Sequence, residues 1–245
     1  MNTTSAIKFE KRVIVALDVQ SADEARTIIR ELEGEAGAFK IGLQLFAAAG
    51  PEFVREVAAE HRVFLDLKFH DIPNTVAGAA VEVARLGVWM FNVHAAGGSE
   101  MMRETVRAVR TASESEGFKR PLVIGVTVLT SSDTNTLRET GIERGAEAQV
   151  VHLARLAAEC GLDGIVSSPR EVSAVRRGID SPGFLIVTPG VRPEFATNDD
   201  QKRVMTPRQA AAEGSDYLVI GRPILQAENR VAALRKICDE ISASD

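Results

Sequence analysis

Short apolar runs rich in β-branched residues alternate with longer helix-forming stretches from one end of this 245-residue chain to the other. The runs at 13–19, 39–45, 63–69, 90–95, 122–130, 164–168, 184–190 and 217–221 read as strands. Between them, 22–32, 51–61, 75–86, 99–115, 146–160, 170–177, 207–213 and 223–241 read as helices. Ser21 is placed to cap the first of these, and Pro51, Pro207 and Pro223 fall at first-turn positions. Continuous apolar strands in strict alternation with helices imply a parallel sheet covered by those helices. Eight such units in a chain of this length predict an α/β fold of one kind, the closed (β/α)₈ TIM barrel. An open doubly wound sheet is the competing architecture. It is disfavoured because Asp18-Val19-Gln20-Ser21 follows the first strand where a G-x-G-x-x-G turn would stand. No linker, low-complexity tract or repeat marks a second domain, so residues 1–245 are expected to form a single catalytic barrel.

Charge and cysteine usage narrow the partners. A net charge of −5 and a pI near 5.5 argue against nucleic acid, whose binders present a basic face. Cys160 and Cys238 are the only cysteines and form no C-x-x-C, so neither a disulfide framework nor a zinc site is expected. The four histidines, His61, His70, His94 and His152, show no metal-ligand spacing. No apolar run is long enough for a membrane span, and residues 1–5 lack the features of a secretory signal. A cytoplasmic protein without membrane partners is the expectation.

The third strand carries the chemistry. Its run Val63-Phe64-Leu65 leads into Asp66-Leu67-Lys68-Phe69-His70-Asp71. Strand side chains alternate between faces, so Asp66 and Lys68 share one face while Leu65 and Leu67 share the other. Charges directed into a barrel are costly unless paired, and a catalytic role is the natural reason for them. Other strand ends converge on the same rim: Asp18 near the end of strand one, Lys40 early in strand two, Thr130 at the end of strand five, Arg192 where strand seven runs out, and Gly221 and Arg222 at the end of strand eight. Barrel active sites are built at this C-terminal face. Two long polar connections, 131–145 and 191–205, leave the same face.

These residues resemble a known family. Asp-Leu-Lys-Phe-His-Asp-Ile-Pro-Asn-Thr over 66–75 is similar to the signature of orotidine 5′-monophosphate decarboxylases. The opening strand with Asp18, Phe39-Lys40, Val128-Leu129-Thr130, Pro189-Gly190-Val191-Arg192, Asp199-Asp200-Gln201 and Ile220-Gly221-Arg222-Pro223 also fall where that family's pattern has them. The resemblance implies decarboxylation of orotidine 5′-monophosphate to uridine 5′-monophosphate in pyrimidine biosynthesis, with no metal and no organic cofactor. It implies that Lys40, Asp66, Lys68 and Asp71 form a catalytic charged array, with Lys68 as proton donor to C6. Asp71 and Thr75 would come from the neighbouring subunit of a homodimer. Asp18 and Lys40 would hold the ribose and Thr130 would lie near the base. Arg192, Gln201, Gly221 and Arg222 would serve the phosphate, where backbone N–H groups and a guanidinium meet one anion. A related metal-dependent barrel acting on a sugar phosphate shares Asp66-x-Lys68-x-x-Asp71 but not the continuation Ile72-Pro73-Asn74-Thr75. A non-catalytic nucleotide-binding barrel has no need of Lys68.

Overall fold

A computed structural model of the chain describes residues 11–196 and 205–242. Strands β1 (Val13–Ala16), β2 (Ala38–Gly42), β3 (Val63–Phe69), β4 (Met90–His94), β5 (Leu122–Val126), β6 (Gly164–Val166), β7 (Leu185–Pro189) and β8 (Tyr217–Ile220) pair in sequence order. Every neighbouring pair is parallel, and β8 returns to β1 through Val13↔Leu218 and Val15↔Ile220, closing the barrel. Between and after them run α1 (Ala22–Glu31), α2 (Leu43–Glu60), α3 (Pro73–Arg85), α4 (Gly98–Glu116), α5 (Thr134–Glu139), α6 (Ala146–Glu159), α7 (Val172–Gly178), α8 (Pro207–Ala212), α9 (Arg222–Leu225) and α10 (Arg230–Ser242). The (β/α)₈ architecture is the one the alternation predicts.

Period-two alternation divides the apolar residues into two cores. Ile14, Ala16, Ala38, Phe64, Met90, Ile124, Val187, Tyr217 and Val219 fill the interior of the barrel. Their neighbours in sequence, such as Val15, Phe39, Leu65, Phe91 and Ile186, pack outward against the helices. Two residues further up the interior face of each of the first four strands, the apolar filling gives way to polar groups. Ala16 is followed by Asp18, Ala38 by Lys40, Phe64 by Asp66, and Met90 by Asn92. The barrel floor is therefore apolar and its C-terminal mouth is charged.

Several elements differ from the sequence reading; the first and fifth strands, expected over 13–19 and 122–130, end at Ala16 and Val126, which leaves Asp18 and Thr130 on the loops beyond them. Residues 43–45, expected to extend the second strand, open α2 instead. Alternation would put Leu43 and Leu45 on one face, whereas helical spacing leaves Leu43 66% exposed and buries Leu45. Gly50, at φ 74°, kinks α2, and Pro51 begins its second half. The connection 131–145 contains α5, capped by Asp133, whose carboxylate accepts from the Thr136 N–H. The expected helix 223–241 is broken into α9 and α10, with Asn229 Oδ1 accepting from the Ala232 N–H at the new start.

Candidate active site at the barrel mouth

Shortening β2 to end at Gly42 moves Lys40 up to the rim, two residues from the strand's end. There it joins a row of alternating charges. Lys40 Nζ lies 3.0 Å from Asp18 Oδ1 and 3.7 Å from Asp66 Oδ2. Asp66 Oδ1 in turn accepts from Lys68 Nζ at 2.6 Å. The row thus runs Asp18–Lys40–Asp66–Lys68 across three strand ends. Lys40 is buried, and the Asp66 and Lys68 side chains are 14% and 36% exposed, so these charges interact in a partly desolvated mouth. Burial is the largest single influence on Asp66 and pushes its carboxyl up. Lys40 and Lys68, with hydrogen bonds from Lys68 and Asn92, together outweigh it and hold the group below its ordinary value.

The β3 backbone is bent to bring this about. Leu65 pairs with Phe91 and Phe69 with Val93, so three residues of β3 face the single residue Asn92. Within that bulge Lys68 takes φ 55°, the only positive φ at a non-glycine among the described residues. Leu67 and Phe69 still pack outward against the helix layer while Asp66 and Lys68 meet in the mouth. Gly221 follows β8 beside Asp18, and a Cβ there would come within 3.2 Å of Asp18 Oδ2 and 3.3 Å of the Ala16 Cβ. A side chain at 221 would crowd the carboxylate.

The remaining predicted residues divide into groups. Asp71 and Thr75 are exposed, on the turn after β3 and the first turn of α3. Asp71 Oδ1 accepts from the Ile72 N–H at 2.6 Å, and among the described residues it makes no ion pair with the row. Thr130 lies beyond the end of β5 and lines a cavity of about 450 Å³ shared with Ser132, Ser168, Arg170, Gly190 and Met205. That cavity occupies the ends of β5, β6 and β7, the half of the mouth opposite the charged row. Arg192 follows Gly190 and is half-buried, its backbone N–H donating to the Met205 carbonyl. Arg222 is exposed at the start of the one-turn α9. Gln201 lies outside the described residues.

Asn92 is a feature of the site that the sequence reading missed, whereas His94 ends the fourth strand as its pattern suggests. Asn92 is 1% exposed, and its amide bridges Asp66 and the Lys68 backbone. His94, at the end of β4, sits 5.4 Å from His70 between ring centroids. Burial, then His70 and Lys68, push its imidazole below the ordinary 6.5. At the opposite end of the barrel, His61 stands with Glu33 and Glu60, their ligand atoms within 4.8 Å of one another. Sequence spacing does not disclose that surface grouping.

A closed parallel barrel whose C-terminal mouth holds paired carboxylates and ammoniums at strand ends is the architecture of a barrel enzyme. Comparison with known proteins narrows the class. The profile of the family described as orotidine 5′-phosphate decarboxylase / HUMPS matches residues 11–237. A protein of Syntrophotalea carbinolica named orotidine 5′-phosphate decarboxylase is 52% identical over 240 residues, 97% of this chain and 98% of its own length. One of the same name from Moorella thermoacetica is 54% identical over 232 residues, 94% of this chain and 92% of its own. The crystal structure of orotidine 5′-phosphate decarboxylase from Lactobacillus acidophilus superposes with a TM-score of 0.82 at 36% identity, covering 94% of this chain and 98% of that one. The chain belongs to the orotidine 5′-phosphate decarboxylase / HUMPS family, and it is an enzyme.

Proposed function

We propose that the protein is a carbon–carbon lyase that decarboxylates orotidine 5′-monophosphate to uridine 5′-monophosphate in pyrimidine biosynthesis. The observation that carries this reading is the row Asp18–Lys40–Asp66–Lys68, with successive contacts of 3.0, 3.7 and 2.6 Å, in a chain of this family. The bond from C6 to the carboxylate breaks and its electron pair stays on C6 as CO₂ departs. Lys68 stabilises that pair through its ammonium and then gives C6 a proton from Nζ, later regaining one from solvent. Enzymes lower barriers by roughly 8–23 kcal/mol, and here fixed charge aimed at the reacting carbon supplies the largest part. The reaction needs neither metal nor organic cofactor.

Asp18 and Lys40 hold the ribose, Thr130 lies at the base, and Arg192, Gln201, Gly221 and Arg222 serve the phosphate. The working unit is a cytoplasmic homodimer of single barrels, in which Asp71 and Thr75 of the partner subunit complete each site. Supporting this, Asp71 and Thr75 are exposed, Asp71 makes no ion pair with its own row among the described residues, and Ile72 between them is 66% exposed.

An absorbance assay of orotidine 5′-monophosphate with and without EDTA tests the reaction. Turnover that survives EDTA is expected. Metal-dependent action on a sugar phosphate in its place would assign the protein to the other barrel chemistry, and binding without turnover would make it a binding module. Mixing the inactive variants Lys68→Ala and Asp71→Ala tests the shared site. Hybrid dimers regain one intact site, so activity should reappear, and a mixture as dead as its components would refute the sharing.

A further inference from the structure

We infer that Asn92 is a positioning residue of the charged row, holding the Lys68 backbone and the Asp66 carboxylate together from the neighbouring strand. The inference rests on the proposed role of Lys68. Asn92 lies in the middle of β4, in register with Ile124 of β5, between Phe91 and Val93, which pack outward. Its own side chain enters the barrel and is 1% exposed. Its Oδ1 accepts from the Lys68 N–H at 2.8 Å, and its Nδ2 donates to Asp66 Oδ1 at 2.7 Å. That same Asp66 oxygen accepts from Lys68 Nζ at 2.6 Å. One amide therefore fixes both ends of the Lys68 residue: the backbone directly, and the ammonium through Asp66.

The need for such a clamp follows from the bulge. Three residues of β3 oppose Asn92 alone, so the ladder offers Lys68 no regular backbone partner there. Lysine at φ 55° is in a region that a Cβ-bearing residue avoids unless its surroundings impose it. Asparagine meets the requirement in a way its relatives do not. Aspartate would accept from Lys68 but set an anion against Asp66. Leucine would serve neither group, and serine has too short a reach to bridge both. The two hydrogen bonds also fix which way the amide faces, because the reversed orientation would place its carbonyl against a carboxylate.

Asn92→Asp is the incisive variant, because it keeps the shape and the acceptor but replaces the donor by a charge. Asp66 is then faced by Lys40 from β2, Lys68 from its own strand, His94 from β4 and the new carboxylate. We expect kcat to fall by about 10²-fold, the loss typical of a misplaced catalytic group, with KM for orotidine 5′-monophosphate and affinity for uridine 5′-monophosphate within about threefold. The acid limb of the kcat–pH profile should move to higher pH, since a second anion favours protonation of the pair. Asn92→Ser, which removes both bonds without adding charge, should lower kcat by at least about tenfold and leave the acid limb nearer the parent's. It also decides the matter should Asn92→Asp fail to unfold cooperatively. A kcat within twofold of the parent in the folded variants, with an unmoved acid limb, overturns the inference. So does a loss confined to KM. Lys68→Ala is measured alongside. If it retains turnover, the reading of Lys68 fails; if it is dead while the Asn92 variants are normal, only the role of Asn92 fails.

Discussion

At the N-terminal end of the barrel, Asp163 precedes β6 and Asp216 precedes β8, and the two carboxylates are built into the fold in the same way. Asp163 Oδ2 accepts from the Val123 N–H of β5 at 2.7 Å and pairs with Arg120. Asp216 Oδ2 accepts from the Ile186 N–H of β7 at 2.7 Å and from Arg176 at 2.5 Å. Arg176 spends its other donors on the Gly214 and Phe184 carbonyls. Each carboxylate thus ties one strand to the previous one. At the C-terminal end, Asp66 is as deeply placed but its partners are two lysines and an asparagine, one of those lysines in a left-handed conformation. The first arrangement spends its carboxylates on a backbone N–H and a guanidinium. The second concentrates charge and keeps a strained residue, which is how a fold gives up stability for a reactive site. The same residue types are structural where the backbone is their partner and chemical where they are one another's.

Two substitutions separate these roles most widely. Lys68→Ala should lower kcat by on the order of 10³-fold or more, because under the proposed reaction it removes the ammonium that meets the charge developing at C6. Circular dichroism and the urea midpoint should stay near the parent's. Asp216→Ala should do the reverse. It leaves the Ile186 N–H without its acceptor and Arg176 without its carboxylate, and should cost about 2 kcal/mol, roughly 5 °C in Tm, with kcat per folded molecule unchanged. Loss of turnover in Asp216→Ala at full folding would erase the distinction between the two ends.

How far the sequence disclosed this arrangement depends on which physical signal each residue carries. Period-two alternation places Asp66 and Lys68 on one face, and β3 has the bounds, 63–69, that its pattern suggests. Lys40 falls early in the strand read at 39–45 because Leu43–Leu45 imitates a continuing strand, whereas β2 ends at Gly42. The same alternation could have found Asn92, a polar residue in register with Met90 on the face that fills the barrel. What no local pattern encodes is the bulge in β3 and the left-handed Lys68, since both arise from pairing with β4. Asp71 is legible as a motif residue, yet within one chain it accepts from the Ile72 N–H and, among the described residues, makes no ion pair with the row.

The strain at the active end can be isolated by comparing two variants that lack the ammonium equally. Lys68→Gly and Lys68→Ala differ in the Cβ that disfavours φ 55°. Glycine should be the more stable of the pair by about 1 kcal/mol in urea unfolding, even though glycine normally weakens a strand. Equal stabilities, or alanine ahead, would mean that the bulge relaxes once the lysine is gone and that the strain belongs to the ammonium's contacts rather than to the backbone.

The gentlest probe of the comparison is acid. Asp66 is held below its ordinary value of 3.8 in the folded protein, so the folded state binds fewer protons than the unfolded chain as pH falls toward that value. Its contribution to stability is fully present above 3.8 and is lost as pH drops through the lower folded value. Asp66→Asn should therefore flatten the stability curve in that acid window and leave its shape near neutrality alone. His94 acts earlier along the same axis. Its depressed imidazole makes folding less favourable as pH falls from about 6.5, because the unfolded chain takes up the proton first. Replacing His94 by asparagine should remove the slope that begins there, while the Asp66→Asn variant retains it. Urea midpoints measured across this range in the three proteins check both signs. A wild-type curve flat from pH 7 to 5 would show that burial in the mouth does not depress the His94 imidazole.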